Sequence, residues 1–541
     1  MRKPEEILQV LLKQRGIEGE EKIKEFLSAR PQTAHDPFLL HNMEAGVDLI
    51  LSEIEAGSRI TIYGDYDADG VTSVCILFSF LSHLTDNLNY FIPSRFTDGY
   101  GLNKDAIKRI KDDGADMIIT VDCGSVSYDE VEYAKSLGLK IVVTDHHTID
   151  KVKADCIVIN PKQKECNYPW QDLAGCGVAF KLAQALRMKT NLPREILNDC
   201  LDLVAIGTVA DIVPLVDENR TMVKYGLLKI NSGSRMSIQK LKEGISLKKV
   251  TSESIAFGIG PHINAVGRVA SADEAVKLFL ADNPITAQRQ TMLLKESNQK
   301  RKNLQNKSYE DCKGMIGDDD DFIVIRRDDI HEGIGGIVAG KIKEEYNRPC
   351  VIITPTEDGR LKGTGRSIES INLHEFLNEF NYVFDTFGGH KGACGFSLQI
   401  DKYDELVSLI KNKIETIKSE NPDVFNVYRD YDMVIEPGEA TLKLAEQLEC
   451  MEPFGQANPR PKFNIENIML TNPRFMGEAR NHVRFTAFSP EFGSLNCILF
   501  GKAQDYAHLI GIDEPVSIIG TIDINEFNGS RTVQFRVEEI I

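Results

Sequence analysis

The chain has 541 residues, of which 42% are apolar and 27% are charged, and its formal net charge at pH 7 is −18. This composition is typical of a globular protein with several domains of about 150 residues each, and no apolar run reaches the ~18 residues that a membrane span requires. The acidic balance argues against a generally basic nucleic-acid-binding surface, but it is compatible with a local basic patch and with a carboxylate-rich metal site.

The N-terminal sequence and the cysteines both predict a cytoplasmic protein without a membrane association. Glu5 and Glu6 stand where a secretory signal would need apolar residues. The eleven cysteines are scattered singly between Cys75 and Cys497, with no CxxC pair. This spacing predicts reduced thiols rather than a disulfide framework or a structural zinc site.

The first half of the chain begins with helices and then alternates between strands and helices. Residues 1–58 have apolar positions three and four apart, which indicates helices from Pro4, over 20–28 and over 43–55. From residue 59, short β-rich runs alternate with helical runs, and this order predicts a parallel sheet built from βαβ units. The predicted strands are 59–63, 116–121, 140–144 and 156–159, and the helices between them are 71–83, 104–111 and 128–137.

The second half predicts a connector helix, another α/β unit and a β-rich unit. Further helices over 174–188 and 199–210 precede a long polar helix over 284–314. A second α/β pattern follows to about residue 425, with strands at 322–325 and 351–354 and a helix over 404–419. After a helix over 440–450, β runs at 483–488, 495–500, 516–524 and 531–537 predict a small barrel or sandwich, with a hairpin turn at Asn528-Gly529.

Three of the predicted strands end in polar, metal-binding residue types. The first runs into the segment GDYDADG, which carries Asp65, Asp67 and Asp69; the second runs into Asp122; and the third runs into Asp145-His146-His147. Because the carboxyl ends of parallel strands share one edge of a sheet, these segments are expected to meet in one crevice. A fourth acid, Asp211, follows an apolar helix.

The residue types in this crevice predict the class of metal. Several carboxylates with one or two imidazoles suit Mg²⁺ or Mn²⁺, and the nitrogen donors favour Mn²⁺. Two such ions about 3.5–4 Å apart can activate water and stabilise the leaving oxygen of a phosphoester. A metal-dependent phosphodiesterase is therefore the function that these residues predict.

Two simpler interpretations of the acidic segments compete with a metal site. An aspartate after a strand is usually a helix cap, and Asp65 or Asp122 alone would be interpreted in that way. The DxDxDG segment also resembles the start of a calcium loop, but Ile76 occupies the position at which such a loop needs Glu. The convergence of three segments favours the metal site.

The quoted segments resemble the DHH phosphoesterase superfamily and, within it, the RecJ family of single-strand-specific 5′→3′ exonucleases. The resemblance covers nearly the whole chain and includes several long motifs. These are DPFLL at 36–40, RFTDGYGLN at 95–103, YPWQDLAGCGVAFK at 168–181, INAVGR at 263–268, GTGRS at 363–367, GGHKGACGF at 388–396 and EPFGQANPRP at 452–461. The chain departs from the family at His262, where Arg is common, and at Cys123, where Asn is more usual; neither departure removes a ligand.

The resemblance implies roles for the residues of the acidic crevice. Asp67 and Asp69 match metal ligands, with Asp65 as an additional one. Asp122 would bridge two ions, His146 would bind one of them, and Asp211 would complete the site. Asp145 and His147 would orient His146 and contact phosphate, and water activated by the metal would be the nucleophile.

The resemblance also implies where the substrate binds. Arg95 and Arg268 would contact the terminal phosphate. In the GTGRS motif, backbone N–H groups together with Thr364, Arg366 and Ser367 would face phosphate. Gly389 would allow close approach of the strand, and His390 would lie near the scissile group.

The domains implied by the resemblance follow the elements above. Residues 1–58 form an N-terminal helical segment, 59–230 the DHH catalytic domain, 231–316 a helical region with the connector helix, 317–425 the DHH-associated substrate-binding domain and 430–541 an OB domain. OB barrels bind single strands with basic and aromatic groups, and the candidates here are Phe475, Arg480, Arg484, Phe485 and Phe527.

The implied activity is release of nucleoside 5′-monophosphates from the 5′ end of single-stranded DNA by a monomeric enzyme in DNA repair and recombination. Two Mn²⁺ or Mg²⁺ ions would be the cofactors, and a single-strand-binding protein and a helicase would be partners. One alternative is a DHH phosphodiesterase or pyrophosphatase for short oligonucleotides, cyclic dinucleotides or other small phosphates. The other is a non-catalytic single-strand-binding scaffold. The β-rich C-terminal unit argues against the first alternative, and the intact set of acids argues against the second.

Overall fold

The structure is a computed structural model of the chain. It describes residues 1–541 except for ten positions, which are Tyr100, Asp150, Ser234, Glu357, Asp358, Val427, Tyr428, Gly511, Asp513 and Asn528. No helix among the described residues is both long enough and apolar enough to cross a bilayer.

The α-helices are numbered in chain order, and a π-helical turn, Ile255–Ile259, lies between α12 and α13. They are α1 Pro4–Gln14, α2 Glu20–Leu27, α3 Met43–Glu55, α4 Ala68–Leu81, α5 Lys104–Asp112, α6 Tyr128–Ser136, α7 Gly175–Lys189, α8 Arg194–Asn198, α9 Leu201–Ala210, α10 Asp217–Ser232, α11 Met236–Gly244, α12 Ser252–Ser254, α13 Gly260–Val269, α14 Asp273–Phe279, α15 Pro284–Lys313, α16 Gly335–Tyr346, α17 Leu373–Asn378, α18 Tyr403–Glu420 and α19 Leu442–Glu449.

The strands form three sheets. They are β1 Ile60–Tyr63, β2 Leu88–Phe91, β3 Met117–Thr120, β4 Lys140–Thr144, β5 Ile157–Ile159, β6 Ile323–Arg326, β7 Cys350–Pro355, β8 Arg360–Arg366, β9 Thr386–His390, β10 Ala393–Gln399, β11 Met433–Val434, β12 Phe463–Met476, β13 His482–Ser489, β14 Gly493–Leu499, β15 Val516–Phe527 and β16 Ser530–Ile540.

The first sheet has the order β2-β1-β3-β4-β5, and its strands are all parallel. One hydrophobic core joins helices α3, α4 and α7 to one face, and a second core joins α5 and α6 to the other face. The predicted parallel α/β unit is therefore confirmed. The strand order reverses between β1 and β3, which is the position where open α/β sheets bind ligands at the carboxyl ends of their strands.

The second sheet follows the 30-residue helix α15 and has the order β6-β7-β8-β10-β9. Only β6 and β7 are parallel in it; the other pairs are antiparallel. Strand β8 contains residues 363–366 of the GTGRS motif, and it pairs with β7 on one side and with β10 on the other.

The expectation that the backbone of the GTGRS motif faces phosphate is wrong. The N–H groups of a central strand are used in the ladders, and the Ser367 N–H donates to the carbonyl of Gly392 at 3.0 Å. The glycines of the motif serve packing instead. A Cβ on Gly363 would lie 2.1 Å from the ring of Phe396, and one on Gly365 would lie 2.8 Å from Leu373.

The third sheet closes into a five-stranded barrel, which confirms the β-rich prediction. Its order is β12-β13-β14-β16-β15, and β15 pairs back to β12, while the short strand β11 lies beside β12. Strands β15 and β16 form the predicted hairpin, in which Phe527 pairs with Ser530. Of the two predicted turn residues, Asn528 lies outside the described residues.

The N-terminal helices belong to two different cores. Ile7 and Leu11 of α1 are fully buried in the core of the barrel unit, beside Leu444 of α19, and α2 packs against the same core. Helix α3 instead packs on the first sheet. Arg2 forms an ion pair with Glu439 at 2.7 Å, and the two residues are 437 positions apart in the sequence.

Candidate active site

The segment after β1 turns sharply into helix α4. Asp67 is the N-cap of α4, and its Oδ1 accepts hydrogen bonds from the backbone N–H groups of Asp69 at 2.9 Å and Gly70 at 3.0 Å. Gly70 is required in this turn because a Cβ there would lie 2.5 Å from the carbonyl oxygen of Asp65. Asp65 is buried, and its Oδ1 has no hydrogen-bond partner.

Asp122 follows β3 with a left-handed backbone. Its φ is +62°, a conformation that few residues other than glycine adopt and that is enriched at functional positions. The side chain is 3% exposed, and its Oδ1 has no hydrogen-bond partner. Asp122 therefore has a buried carboxylate oxygen that is available to a ligand.

The segment after β4 holds one histidine as a possible ligand and orients the next. The Nδ1 of His147 lies 2.8 Å from Asp145 Oδ1, and the same oxygen accepts from the backbone N–H of His146 at 2.7 Å. The Nε2 of His146 is 3.1 Å from Asp122 Oδ1, without the geometry of a hydrogen bond. Asp145 thus orients the ring of His147 and holds the backbone of His146.

The predicted convergence of the three strand ends is confirmed, and Asp211 joins it. The Nε2 of His146 lies 3.6 Å from Asp211 Oδ2 and 3.8 Å from Asp69 Oδ2. Within the described residues, ligand atoms approach within 4.8 Å of one another in three groups. These groups are Asp65, Asp67 and Asp122; Asp69, His146 and Asp211; and Asp122, His146 and His147.

Helix α7 holds Asp69 and leaves room for the acids. Asp69 accepts hydrogen bonds from the backbone N–H groups of Gly175 at 2.6 Å and Cys176 at 2.8 Å, at the positive end of the α7 dipole. A Cβ on Gly175 would lie 2.6 Å from Asp122 Oδ1, and a Cβ on Gly207 would lie 2.9 Å from Asp69 Oδ1. These two glycines therefore make the space that the carboxylates occupy.

The acids are held close together against their electrostatic repulsion. Burial and the charges of neighbouring aspartates raise the pKa of Asp65, Asp69, Asp122 and Asp211 above the usual range. Burial, with the charge of His147, lowers the pKa of His146 to about 3, so the His146 ring is neutral. Burial opposes protonation of His147 as well, but its hydrogen bond with Asp145 outweighs this and raises the pKa of His147 to about 9.

This arrangement fits divalent cations. Buried carboxylate oxygens without hydrogen-bond donors and a neutral imidazole are what Mn²⁺ and Mg²⁺ bind. Asp122 belongs to two of the three groups, so it could contact two ions at once. The cations would also remove the repulsion that raises the pKa of the acids.

Arg95 and Arg268 lie near the acidic cluster, and Arg301 and Arg366 lie near Arg268. The guanidinium of Arg95 stacks 4.1 Å above the ring of Tyr66, which lies between Asp65 and Asp67 in the sequence. Burial and the charges of Arg95, Arg301 and Arg366 lower the pKa of Arg268 to about 10. In the described part of the chain, none of the four guanidinium groups is in an ion pair, so together they form a cluster of positive charge, called the arginine cluster below.

The substrate-binding residues predicted in the second α/β unit are only partly brought to this cluster. The guanidinium of Arg366 lies against Gly336, and Arg268 donates to the carbonyl of Gly333 at 3.0 Å, so both reach the segment before α16. Ser367 Oγ is buried without a hydrogen-bond partner, and Thr364 Oγ1 lies near Gly336. His390 and Gly389 lie on the exposed edge strand β9, and among the described residues no hydrogen bond or ion pair joins them to the acids.

Several residues of the site were not predicted from the sequence. Asn264 accepts a hydrogen bond from the backbone N–H of Ala68 at 2.8 Å, and Asn160 donates to the carbonyl of His147 at 2.9 Å. Among the described residues, Arg301 in the middle of α15 is hydrogen-bonded only to neutral groups, Asn298 Oδ1 at 3.0 Å and Gln305 Oε1 at 2.8 Å. The lack of acids around Arg301 in the sequence was the one available signal for it.

Three family models match the chain. The model described as "DHH family, N-terminal domain" matches residues 59–208, the "DHHA1 domain" model matches residues 319–416, and the "RecJ OB domain" model matches residues 431–539. The matched regions contain the first sheet, the second sheet and the barrel, respectively.

Individual proteins are similar over most of the chain. "Single-stranded-DNA-specific exonuclease RecJ" of Bacillus subtilis is 34% identical over 536 residues, which cover 98% of this chain and 67% of that protein. The crystal structure of RecJ with Mn²⁺ from Thermus thermophilus matches with a TM-score of 0.81 and 26% identity, over 99% of this chain and 75% of that one. The structure of the same protein with Mg²⁺ matches with a TM-score of 0.76 and 27% identity, over 98% and 74%.

Proposed function

The chain belongs to the RecJ family of DHH phosphoesterases, and from this premise we propose that it hydrolyses single-stranded DNA from the 5′ end to nucleoside 5′-monophosphates. It is a metal-dependent exonuclease whose cofactor is Mn²⁺ or Mg²⁺. The observation that carries the proposal is the adjacency of the buried acidic cluster and the arginine cluster, because the first suits the chemistry and the second suits the substrate.

The acidic residues would hold two ions. One ion would be bound by Asp65 and Asp67, and the other by Asp69, His146 and Asp211. Asp122 would contact both ions, in keeping with the groups that these residues form. When bound, two such ions activate water and stabilise the leaving oxygen of the phosphodiester. Asp145 would keep the rings of His146 and His147 in place, with His147 directed to the phosphate.

The arginine cluster would set the polarity of cleavage. A 5′-terminal phosphate carries more negative charge than an internal phosphodiester, so guanidinium groups without carboxylate partners would favour the strand end. Arg95, Arg268 and Arg366, with the hydroxyl of Ser367, would bind this phosphate, and the scissile bond would then lie at the metal site. Thr364, Gly389 and His390 would line the strand on the side of the second sheet.

The domain division predicted from the sequence is proposed here with one addition. The catalytic unit would be residues 59–230 and the connecting unit 231–316. The substrate-binding unit would be 317–425, and the OB unit 430–541. The packing of α1 and α2 on the barrel core supports including these two helices in the last unit. A barrel of this kind would bind the strand downstream of the cleaved end.

The proposed setting is DNA repair and recombination in the cytoplasm, with the enzyme acting as a monomer. All eleven cysteines are unpaired, which supports a reducing compartment. A nuclease restricted to single strands needs a source of them, so a helicase and a single-strand-binding protein are the proposed partners.

End-labelled substrates test the function. The unmodified protein and Asp122→Ala would be incubated with Mn²⁺ and single strands labelled at the 5′ or the 3′ end, duplex DNA, a dinucleotide and pyrophosphate. We expect immediate release of the 5′ label from long single strands, and no release by Asp122→Ala. Cleavage of the dinucleotide or pyrophosphate alone would contradict the proposal, as would release that starts at the 3′ label.

A further inference from the structure

A phenylalanine stands almost fully exposed next to the acidic cluster. Phe257 is 85% exposed and lies in the π-helical turn Ile255–Ile259, whose two end residues are buried. Turns of this kind are rare and occur frequently at functional sites. Because the buried isoleucines anchor the turn, the backbone that carries the exposed Phe257 side chain is fixed.

A second apolar side chain stands exposed beside the candidate ligand Asp211. Ile212 is 70% exposed and has a φ of +60°. A β-branched residue in the left-handed region is a genuine outlier, and such strain persists where the surrounding structure holds it. While the Asp211 carboxylate turns toward His146 at 3.6 Å, the next side chain is thereby presented to solvent.

Phe257 and Ile212 line one cavity of about 380 Å³. The same cavity is also lined by Phe454 and Arg460, in the segment that leads into the barrel at β12. Ligand pockets range from about 300 to 1,000 Å³. Isolated exposed apolar residues are common, but these two share a concave surface that extends from the segment of a candidate metal ligand to the entrance of the barrel.

The charges around this cavity suit a nucleic-acid backbone. Among the described residues that line the cavity, the one acid, Glu253, is paired with Arg460 at 2.8 Å. Helix α13 follows the π turn and packs along α15, where residues 297–309 include four basic residues and no acid. Burial, with the charges of Lys302 and Arg301, lowers the pKa of His262 in α13, which places these cations near the turn.

We infer that Phe257, with Ile212, is a stacking platform for a base of the substrate strand between the metal site and the barrel. The inference rests on the proposed function and adds a determinant of its single-strand specificity. A base in a duplex is stacked and paired, so it is not available to Phe257, whereas a base in a single strand is. Stacking on an aromatic ring is tolerant of sequence because every base has a flat face.

The test pairs Phe257→Ala with substrates that lack single bases. On a long 5′-phosphorylated single strand with Mn²⁺, Phe257→Ala should raise KM roughly ten- to hundredfold, as the loss of one stacked base does, with kcat little changed. An abasic residue at one position near the 5′ end should raise KM of the unmodified protein by a similar factor. The same abasic residue should have no further effect on Phe257→Ala, because the two changes remove one contact.

Three comparisons separate stacking from a structural defect. Phe257→Tyr should retain the KM of the unmodified protein, whereas Phe257→Leu should resemble Phe257→Ala. Ile285→Ala, which removes another exposed apolar side chain (82% exposed) from the start of α15, should leave KM unchanged. A 5′-phosphorylated dinucleotide with an abasic 3′ residue has no base for the platform, so Phe257→Ala should cleave it as fast as the unmodified protein.

The outcomes distinguish a failure of the stacking inference from a failure of the proposed exonuclease function. An unchanged KM for Phe257→Ala, or an equal loss on the long strand and on the abasic dinucleotide, overturns the inference while the proposed function stands. If the unmodified protein fails to cleave single strands at all, the proposed function fails and the inference falls with it.

Discussion

At the residue scale, the geometry of the site depends on the space left for Asp122 as well as on its carboxylate. The left-handed backbone after β3 presents this side chain toward Gly175, the first residue of α7, where any Cβ would overlap it. The absence of a side chain at position 175 therefore shapes the site as much as the charge at position 122. This contact gives a test that leaves every candidate ligand unchanged.

We expect Gly175→Ala to weaken metal binding. The new Cβ would lie 2.6 Å from Asp122 Oδ1, so Asp122 would have to move, and displaced ligand geometry typically costs about ten- to hundredfold in metal affinity or activity. Isothermal titration with Mn²⁺ and nuclease assays would measure both effects. Gly177→Ala, in the same helix, meets only side-chain atoms at 3.3 Å or more and should behave as the unmodified protein; an equal loss in both variants would contradict the explanation.

The crowded acids also predict how stability depends on pH. Burial and mutual repulsion raise the pKa values of four acids in the folded protein, namely Asp65, Asp69, Asp122 and Asp211. The pKa of an aspartate in the unfolded chain is about 4. The metal-free protein should therefore lose stability as the pH rises from about 4 through the raised pKa values of the folded protein. Mn²⁺ should remove that loss and add about 2.7 kcal/mol at a hundred times its dissociation constant. Denaturant unfolding at several pH values, with Mn²⁺ or with a chelator, would measure this; parallel curves in the two conditions would refute it.

The sequence predicted the candidate ligands better than their surroundings. Asp65, Asp122 and His146 follow apolar runs that are long enough to indicate strands, so their convergence follows from topology. The positions of Gly175, Gly207 and Asn264 depend on how α7, α9 and α13 pack against that sheet edge. No local pattern in the sequence records such packing, and the roles of these residues therefore appeared only in the structure.

At the element scale, the parallel sheet was predictable and the glycine-rich strands were not. The apolar runs of β1, β3 and β4 are buried along their whole length or nearly so, and such runs indicate strands. Strands β8 and β9 contain two glycines each, a residue with low strand propensity. In β8, the ring of Phe396 fills the space above Gly363, a long-range contact that the sequence pattern does not show.

We expect Gly363→Ala to destabilise the second sheet. The added methyl would overlap the Phe396 ring at 2.1 Å, and overpacking of this kind costs about 1–3 kcal/mol. Thermal unfolding followed by circular dichroism would measure the change. In Gly395→Ala, on the neighbouring strand β10, the new Cβ meets only a carbonyl oxygen at 3.9 Å, so this control should unfold as the unmodified protein does. If the motif were a phosphate loop instead, Gly363→Ala would lower DNA binding without lowering stability.

At the scale of the whole molecule, one buried arginine joins three parts of the chain. Arg220 of α10 is 3% exposed and donates to the carbonyls of Phe26 at 2.9 Å, Met451 at 3.0 Å and Glu452 at 2.8 Å. Its guanidinium also lies 3.7 Å above the ring of Phe26. The residue thus ties the catalytic unit to α2 and to the segment that leads into the barrel.

We expect Arg220→Lys to loosen this junction. Lysine keeps the charge but lacks the planar fork that reaches several carbonyls, and each lost hydrogen bond to a charged group costs about 1.5–3 kcal/mol. The variant should unfold at a lower temperature and bind long single strands more weakly, while cleavage of a dinucleotide stays near that of the unmodified protein. Arg194→Lys, at an exposed position, is the control. Equal losses on long and short substrates would argue against a role in domain coupling.

The packing of α1 against the barrel unit has a consequence for biosynthesis. Helix α1 is made before the barrel, yet its buried face packs against residues around Leu444 and the barrel strands, and Arg2 pairs with a residue 437 positions later. The central α/β units have cores of their own and can fold while translation continues. The apolar face of α1 must therefore stay unpaired until the barrel strands emerge, so this helix needs protection while the α/β units between them are made.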